Sequence, residues 1–165
     1  MNDNIENKVV LITGGSTGIG AEVARLLASR GAKVAIAARR KDKLDEVVAA
    51  IEAAGGTAKA YSLDVTDKKQ VEAVVAAAVA DFGKLDVSIN NAGLMPIRPM
   101  SEVNTDEWDA MIDVNLKGML TASPPCCRAS SRSRAATSST SARWSASRAT
   151  PVNRCTRPRR RACSG

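Results

Sequence analysis

The residues best suited to chemistry lie near the start of this 165-residue chain. "TGGSTGIG", Thr13–Gly20, follows an apolar run at Val9–Ile12 and leads into Ile19, Val23, Leu26 and Leu27 at helical spacing. Gly14, Gly18 and Gly20 permit a tight turn whose backbone can approach a ligand that side chains would block. The helix start then offers N–H groups and a positive dipole end to an anion. A glycine turn between a strand and a helix suits the pyrophosphate of a dinucleotide, with Ser16, Thr17 and Ile19 filling the cradle between its glycines. The spacing is G-x-x-x-G-x-G rather than the more widespread G-x-G-x-x-G.

A second strand, Val34–Ala37, ends at Ala38, where dinucleotide folds that select NAD place an acid on the ribose hydroxyls. Here Arg39 and Arg40 follow instead. A guanidinium can pair in bidentate fashion with a 2′-phosphate, so the pair favours NADP over NAD, although two arginines also suit an ordinary solvated loop. The chain has no histidine, so the commonest acid–base and metal-ligating side chain is missing. Its four cysteines, Cys126, Cys127, Cys155 and Cys163, show no paired C-x-x-C spacing, and neither a disulfide framework nor a metal site is expected.

The elements that would position these residues alternate. After Gly31 and the second strand come a helical run from Leu44 to Ala54, a stop at Gly55–Gly56 and a third strand over Ala58–Leu63. A helix from about Asp67 to Phe82 leads to the strand "LDVSINNAG", and "SEVNTDEWDAMIDVNLKGML" reads as a capped helix start with a long helical run. The order predicts an α/β fold, a Rossmann-type doubly wound parallel sheet with right-handed crossovers. Residues 1–120 form the N-terminal part of that domain, and residues 121–165 an irregular or disordered C-terminal tail that leaves the fold truncated.

The two parts differ sharply in charge. Residues 1–120 carry 14 basic and 17 acidic side chains, a balance of −3, whereas residues 121–165 carry 10 arginines with no lysine and no acid, so the net +7 belongs to the tail. No apolar run approaches the roughly 20 residues of a membrane span, and the start of the chain is polar rather than a basic-then-apolar signal, so a cytoplasmic protein without a membrane role is expected. A basic tail can serve as a nucleic-acid arm. This one has a single aromatic, Trp144, and no repeated RG or RS unit, so no specific nucleic-acid partner is expected.

Residues 8–120 resemble the short-chain dehydrogenase/reductase family in its NADP-preferring branch. Beyond the glycines, "LDVTD" is similar to the family's adenine-contacting segment through Asp64 and Val65. "INNAG" resembles its fourth-strand signature, with Asn91, Ala92 and Gly93 beside the cofactor. "VNLKG" resembles the segment whose asparagine, Asn115 here, holds the water of a proton relay. The resemblance implies hydride transfer between NADPH and a small-molecule carbonyl or alcohol, in an enzyme whose relatives are usually homo-oligomers through later helices.

The resemblance also implies a tyrosine acting as general acid or base, a lysine four residues later that lowers its pKa, and a serine that polarises the substrate oxygen. The chain's one tyrosine is Tyr61, and no lysine follows Lys117. A one-base shift near Leu120 accounts for the loss. Read from the last base of each triplet and the first two of the next, "ASPPCCR" can conceal Gly-Ile-Ala-Ala-Val-Leu-Pro, and "ATSSTSARW" can conceal His-Ile-Ile-Asn-Ile-Ser-Ser-Val. The Cys155–Thr156 junction permits only Tyr or His, and the Arg159–Arg160 junction, four steps on, permits Lys. As written, the chain is expected to lack the acid–base pair, to be marginally stable, and to be at most a dinucleotide-binding module without catalysis.

Overall fold

A computed structural model of the chain describes residues 5–97, 99, 101, 104–123, 125 and 137–140. Five strands lie in the order β3-β2-β1-β4-β5, every neighbouring pair parallel. The expected doubly wound sheet is therefore present. β1 (Val9–Thr13) and β2 (Lys33–Ala38) are joined by helix α1 (Gly18–Ser29), and β2 and β3 (Thr57–Ser62) by α2 (Lys41–Ala53). β3 connects through α3 (Lys68–Phe82) to β4 (Val87–Asn90). Parallel neighbours cannot be joined by a tight turn, so each crossover carries a helix that covers one sheet face.

Local chemistry sets the helix ends. α2 begins at Lys41, just after Arg40, earlier than the apolar periodicity from Leu44 implies; Gly55, with φ of +79°, turns the chain after its last turn. Asp67 caps α3, its carboxylate accepting from the N–H groups of Lys69 at 2.8 Å and Gln70 at 3.3 Å. At the other end Gly83 is left-handed and its N–H returns to the Val79 carbonyl at 2.8 Å. Asn104 caps α4 (Thr105–Ile112) by accepting from Asp106 N–H. The same helix continues through wider π-type turns at Asp113–Gly118 and on through 119–123, past the expected boundary at Leu120.

Two apolar layers sandwich the sheet. Val10, Ile12, Val34 and Ile36 meet α1 and α2 through Ala21, Ala24, Leu44, Val47 and Ile51. On the opposite face Val9, Leu11, Ala35 and Ala37 meet α3 and the end of the long helix through Val71, Val75, Ala78 and Ala122. All of β1 is buried, which is why it reads as a continuous apolar run rather than an alternating one. Asp86, buried just before β4, ties the sheet together by accepting from Val9 N–H at 2.9 Å, with Lys84 Nζ 2.8 Å from the same carboxylate. The fifth strand, β5 (Thr137–Thr140), adds a short regular element within the span expected to be irregular, Thr137 in register with Val87. Apart from 121–123 and 125, the rest of that tail, with the two junctions expected to conceal a tyrosine and a lysine, lies outside the described residues.

Candidate functional site

The glycine turn, the end of β2, the residues after β3 and those after β4 converge at the carboxyl edge of the sheet. They line one cleft of about 700 Å³. This is where an open parallel sheet presents its loops to a ligand. Of the residues singled out in the sequence, Gly14, Ser16, Thr17, Gly18, Arg39, Arg40, Asp64, Val65, Asn91, Ala92 and Gly93 all line it. Ile19 and Gly20 are not among its lining residues: Gly20 lies beneath the cradle and Ile19 is 59% exposed on α1.

The cradle is tied down by backbone contacts. Gly14 has φ of +70° and donates its N–H to the Ala37 carbonyl at 2.7 Å. A Cβ on Gly20 would stand 2.4 Å from Gly14 O and 2.5 Å from Asn91 Nδ2, so no side chain fits between the turn and β4. Asn91 spans that gap: its Nδ2 donates to Gly14 O at 3.1 Å, while its N–H donates to Thr13 Oγ1 at 3.1 Å. Ala92 N–H also donates to Thr13 Oγ1, at 3.2 Å. One buried threonine hydroxyl thus locks the glycine turn to the residues after β4. Thr13 was not singled out in the sequence; the available signal was a polar residue closing an otherwise apolar strand. No side chain caps the first turn of α1, whose N-cap residue is Thr17, so its N–H groups face the cleft mouth uncapped.

At the other side of the cleft, Asp64 Oδ1 accepts from Thr66 N–H at 2.9 Å and Thr66 Oγ1 at 2.7 Å. Those two bonds, with a smaller contribution from the Arg39 guanidinium, hold the Asp64 carboxyl below its usual range. Arg39 and Arg40 leave β2 at the cleft, and Ala38 has no carboxylate to oppose a phosphate there. Lys41 and Lys43 are occupied along their own helix by Asp45 and Glu46.

Asn115 occupies the π-type turns and clamps one residue by both edges. Its Oδ1 accepts from Leu94 N–H at 2.8 Å and its Nδ2 donates to Leu94 O at 2.8 Å. Leu94 and Val114 line the cleft, so Asn115 fixes the cleft wall through Leu94. Tyr61 stands apart on β3, its hydroxyl donating to Asp81 Oδ2 at 2.6 Å. Burial first, then the hydrogen bond and negative charge of Asp81, push its phenol well above the usual value. It is a poor proton donor or acceptor near neutrality. Among the described residues no group of three potential ligands could hold a metal ion, and no helix is long and apolar enough to cross a membrane.

A family pattern described as short chain dehydrogenase matches residues 8–139. The chain belongs to this family. It is 47% identical over 116 residues to an uncharacterized oxidoreductase of Listeria innocua, a span that covers 70% of this chain and 47% of that protein. Its fold superposes on a short-chain type dehydrogenase/reductase of Mycobacterium marinum with a TM-score of 0.77 at 34% identity, covering 82% of this chain and 56% of the other. A metagenomic short-chain oxidoreductase in complex with NADP gives a TM-score of 0.75 at 34% identity, covering 82% and 62%. The chain thus spans about half the length of the curated relatives it matches. The Listeria innocua relative and the metagenomic one are both described as oxidoreductases.

Proposed function

We propose that the cleft holds NADPH, in preference to NADH, and that the parent enzyme transfers hydride between this coenzyme and a small carbonyl or alcohol. The observation that carries the reading is the Gly14–Gly20–Asn91 contact, a backbone cradle with no room for a Cβ, set beside two arginines in one cleft. Gly14, Gly18 and the uncapped start of α1 would take the pyrophosphate. Arg39 and Arg40 would take the 2′-phosphate, and Asp64 and Val65 the adenine. Asn91, Ala92 and Gly93 would pass beside the nicotinamide ribose. The bound coenzyme supplies the hydride. The chain's own part is to orient it and, through Asn115 and Leu94, to keep the wall beside it fixed. The NADP complex of the metagenomic relative supports the same direction.

The chain as written is a dinucleotide-binding fragment without the proton-transfer pair, because residues 121–165 are an out-of-frame reading of the family's second half. The support is sequence arithmetic joined to position. The junctions inside Thr137–Thr140 can encode Ile-Ile-Asn, and these residues are the ones that pair parallel to β4. Ten arginines beside no lysine also fit GC-rich triplets read out of register.

Fluorescence titration with NADPH and NADH tests the cofactor reading. NADPH should bind the tighter, and Arg39→Ala should weaken it by roughly 10- to 100-fold, the loss of charge-assisted hydrogen bonds worth about 1.5–3 kcal/mol, with little change for NADH. Equal affinities in both proteins would refute it. For the frame reading, the coding DNA is resequenced across the Leu120 junction, and the chain and its frame-restored form are assayed with NADPH over a carbonyl panel. Turnover by the chain as written would overturn the inactivity.

A further inference from the structure

We infer that Gln70 is a positioning residue for the adenine end of the cleft, holding Asp64 in place from the start of α3, an inference that rests on the coenzyme reading of that cleft. Asp64 is the second residue past β3, where the strand ladder runs out. The Leu63 N–H still donates to Ala38 O at 3.0 Å, but the Asp64 N–H turns to a side chain and donates to Gln70 Oε1 at 3.0 Å. The same amide makes a second contact, Gln70 Nε2 donating to Asp67 Oδ2 at 3.0 Å, while the Gln70 N–H donates to Asp67 Oδ1 at 3.3 Å. One exposed glutamine therefore joins the capping carboxylate of α3 to the backbone of the cleft wall.

The turn around Asp64 is closed by its own groups. Its carbonyl accepts from Asp67 N–H at 3.1 Å, and its Oδ1 accepts from the N–H and the hydroxyl of Thr66. These contacts engage the N–H, the carbonyl and Oδ1, and none of them engages Oδ2. Adenine carries its exocyclic amino group as a donor, and a carboxylate oxygen is an acceptor for it. Val65, next in the wall, is backed differently: the long helix passes so close that a Cβ on Gly118 would lie 2.8 Å from Val65 Cγ2. Packing sets Val65 and the Gln70 amide sets Asp64, so loss of the amide frees Asp64 alone. Because Gln70 is exposed, water takes the place of its oxygen when it is removed, and what is lost is the placement of Asp64 rather than a buried bond.

The test titrates the full chain and its variants with NADPH and with the deamino analogue, in which hypoxanthine replaces adenine and a carbonyl the amino group. The parent should prefer NADPH. Gln70→Ala should narrow that preference by about two- to tenfold, the worth of one net hydrogen bond, with the affinity for the analogue little changed. Gln70→Glu keeps an oxygen for the Asp64 N–H but sets a second carboxylate against Asp67, so it should restore the preference while lowering Tm. Gly83→Ala, which strains the left-handed cap at the far end of α3, should lower Tm and leave the preference as it is. Equal weakening of both coenzymes by Gln70→Ala would make Gln70 a structural part of α3 only and overturn the inference. So would a parent indifferent to the amino group, or a Gln70→Glu protein as unselective as Gln70→Ala. Each of these results leaves the coenzyme reading standing, whereas a parent that binds neither coenzyme defeats that reading and this inference with it.

Discussion

The two ends of the sheet are built to different standards. At the β3–β2–β1 end, Val34–Ala37 are buried without exception, and alanines at 21, 24 and 28 let α1 lie close on β1 and β2. At the β4–β5 end, half-buried Val87 and Ile89 alternate with buried Ser88 and Asn90, and none of Thr105–Ile112 is buried. The first end is a pair of consecutive βαβ units, so each strand finds its cover within a few tens of residues. The end that carries the proposed phosphate cradle is thus covered from local sequence, while among the described residues the β4–β5 end is covered less fully.

The comparison breaks most readily at the seam between the two ends. Gly20→Ala puts a methyl 2.4 Å from Gly14 O and 2.5 Å from Asn91 Nδ2, atoms of backbone and a bonded amide that have nowhere to move. We expect about 3 kcal/mol or more of destabilisation and no measurable NADPH binding. Gly18→Ala, where a Cβ meets nothing within 4 Å but φ is +58°, should cost only about 1–2 kcal/mol of strain. Urea melts of the two variants, with NADPH titration of each, compare them. Next in size is Thr13→Val, which keeps the shape and removes the acceptor shared by Asn91 and Ala92. Two amides at the cradle then lose a partner, and about 2 kcal/mol should go. If Thr13→Val melted like the parent, the hydroxyl would not be the lock between the halves.

A smaller effect of opposite sign belongs to the unfinished end. Ser88 Oγ is buried with no hydrogen-bond partner among the described residues, facing the layer that holds Leu11 and Ala122. Removing an unsatisfied buried hydroxyl relieves its desolvation cost, so Ser88→Ala should raise stability by about 1 kcal/mol in urea melts. A loss of stability would mean that Ser88 is satisfied in solution and that this end is better built than its side chains suggest.

How much of this was legible beforehand follows the same division. The cradle and the arginines after β2 could be read directly, because they depend on residues close in sequence and, in the cradle, on backbone geometry that favours glycine, whereas the Asp64–Val65 and Asn91–Gly93 segments were reached through the family resemblance. Thr13 and Leu94 were reached by neither route, since their roles rest on contacts 78 and 79 residues away for Thr13 and 21 away for Leu94. Asn115 was expected to hold a relay water; its side chain also holds Leu94 by both edges, a contact that spacing along the chain does not reveal. The exposed Ile19 and Leu26 on α1, and Trp108, Ile112, Leu116 and Leu120 on the long helix, looked like ordinary core periodicity, because a period of four marks an apolar face without telling what lies against it. β5 carries no apolar pattern at all, and only its pairing with β4 makes it a strand.

The smallest predicted effect tests whether the finished end also depends on charge. Asp67 caps α3, which covers the layer below Val9 and Leu11, and the N–H groups of Gln70 and Lys69 lower its carboxyl from the usual 3.8. A carboxylate with a depressed folded pKa stabilises the native state above its unfolded value, and that stabilisation disappears as pH falls through the lower folded value. Asp67→Ala should therefore lower Tm by a few degrees at neutral pH, and the gap from the parent should narrow steadily in acid below about pH 3.8. Asp67→Asn keeps an acceptor for the same amides without the titratable charge, so it should recover most of the neutral-pH loss and lose the pH dependence of the gap. If both substitutions left Tm unchanged at every pH, α3 would be held by its apolar face alone, and the finished end would owe nothing to its cap.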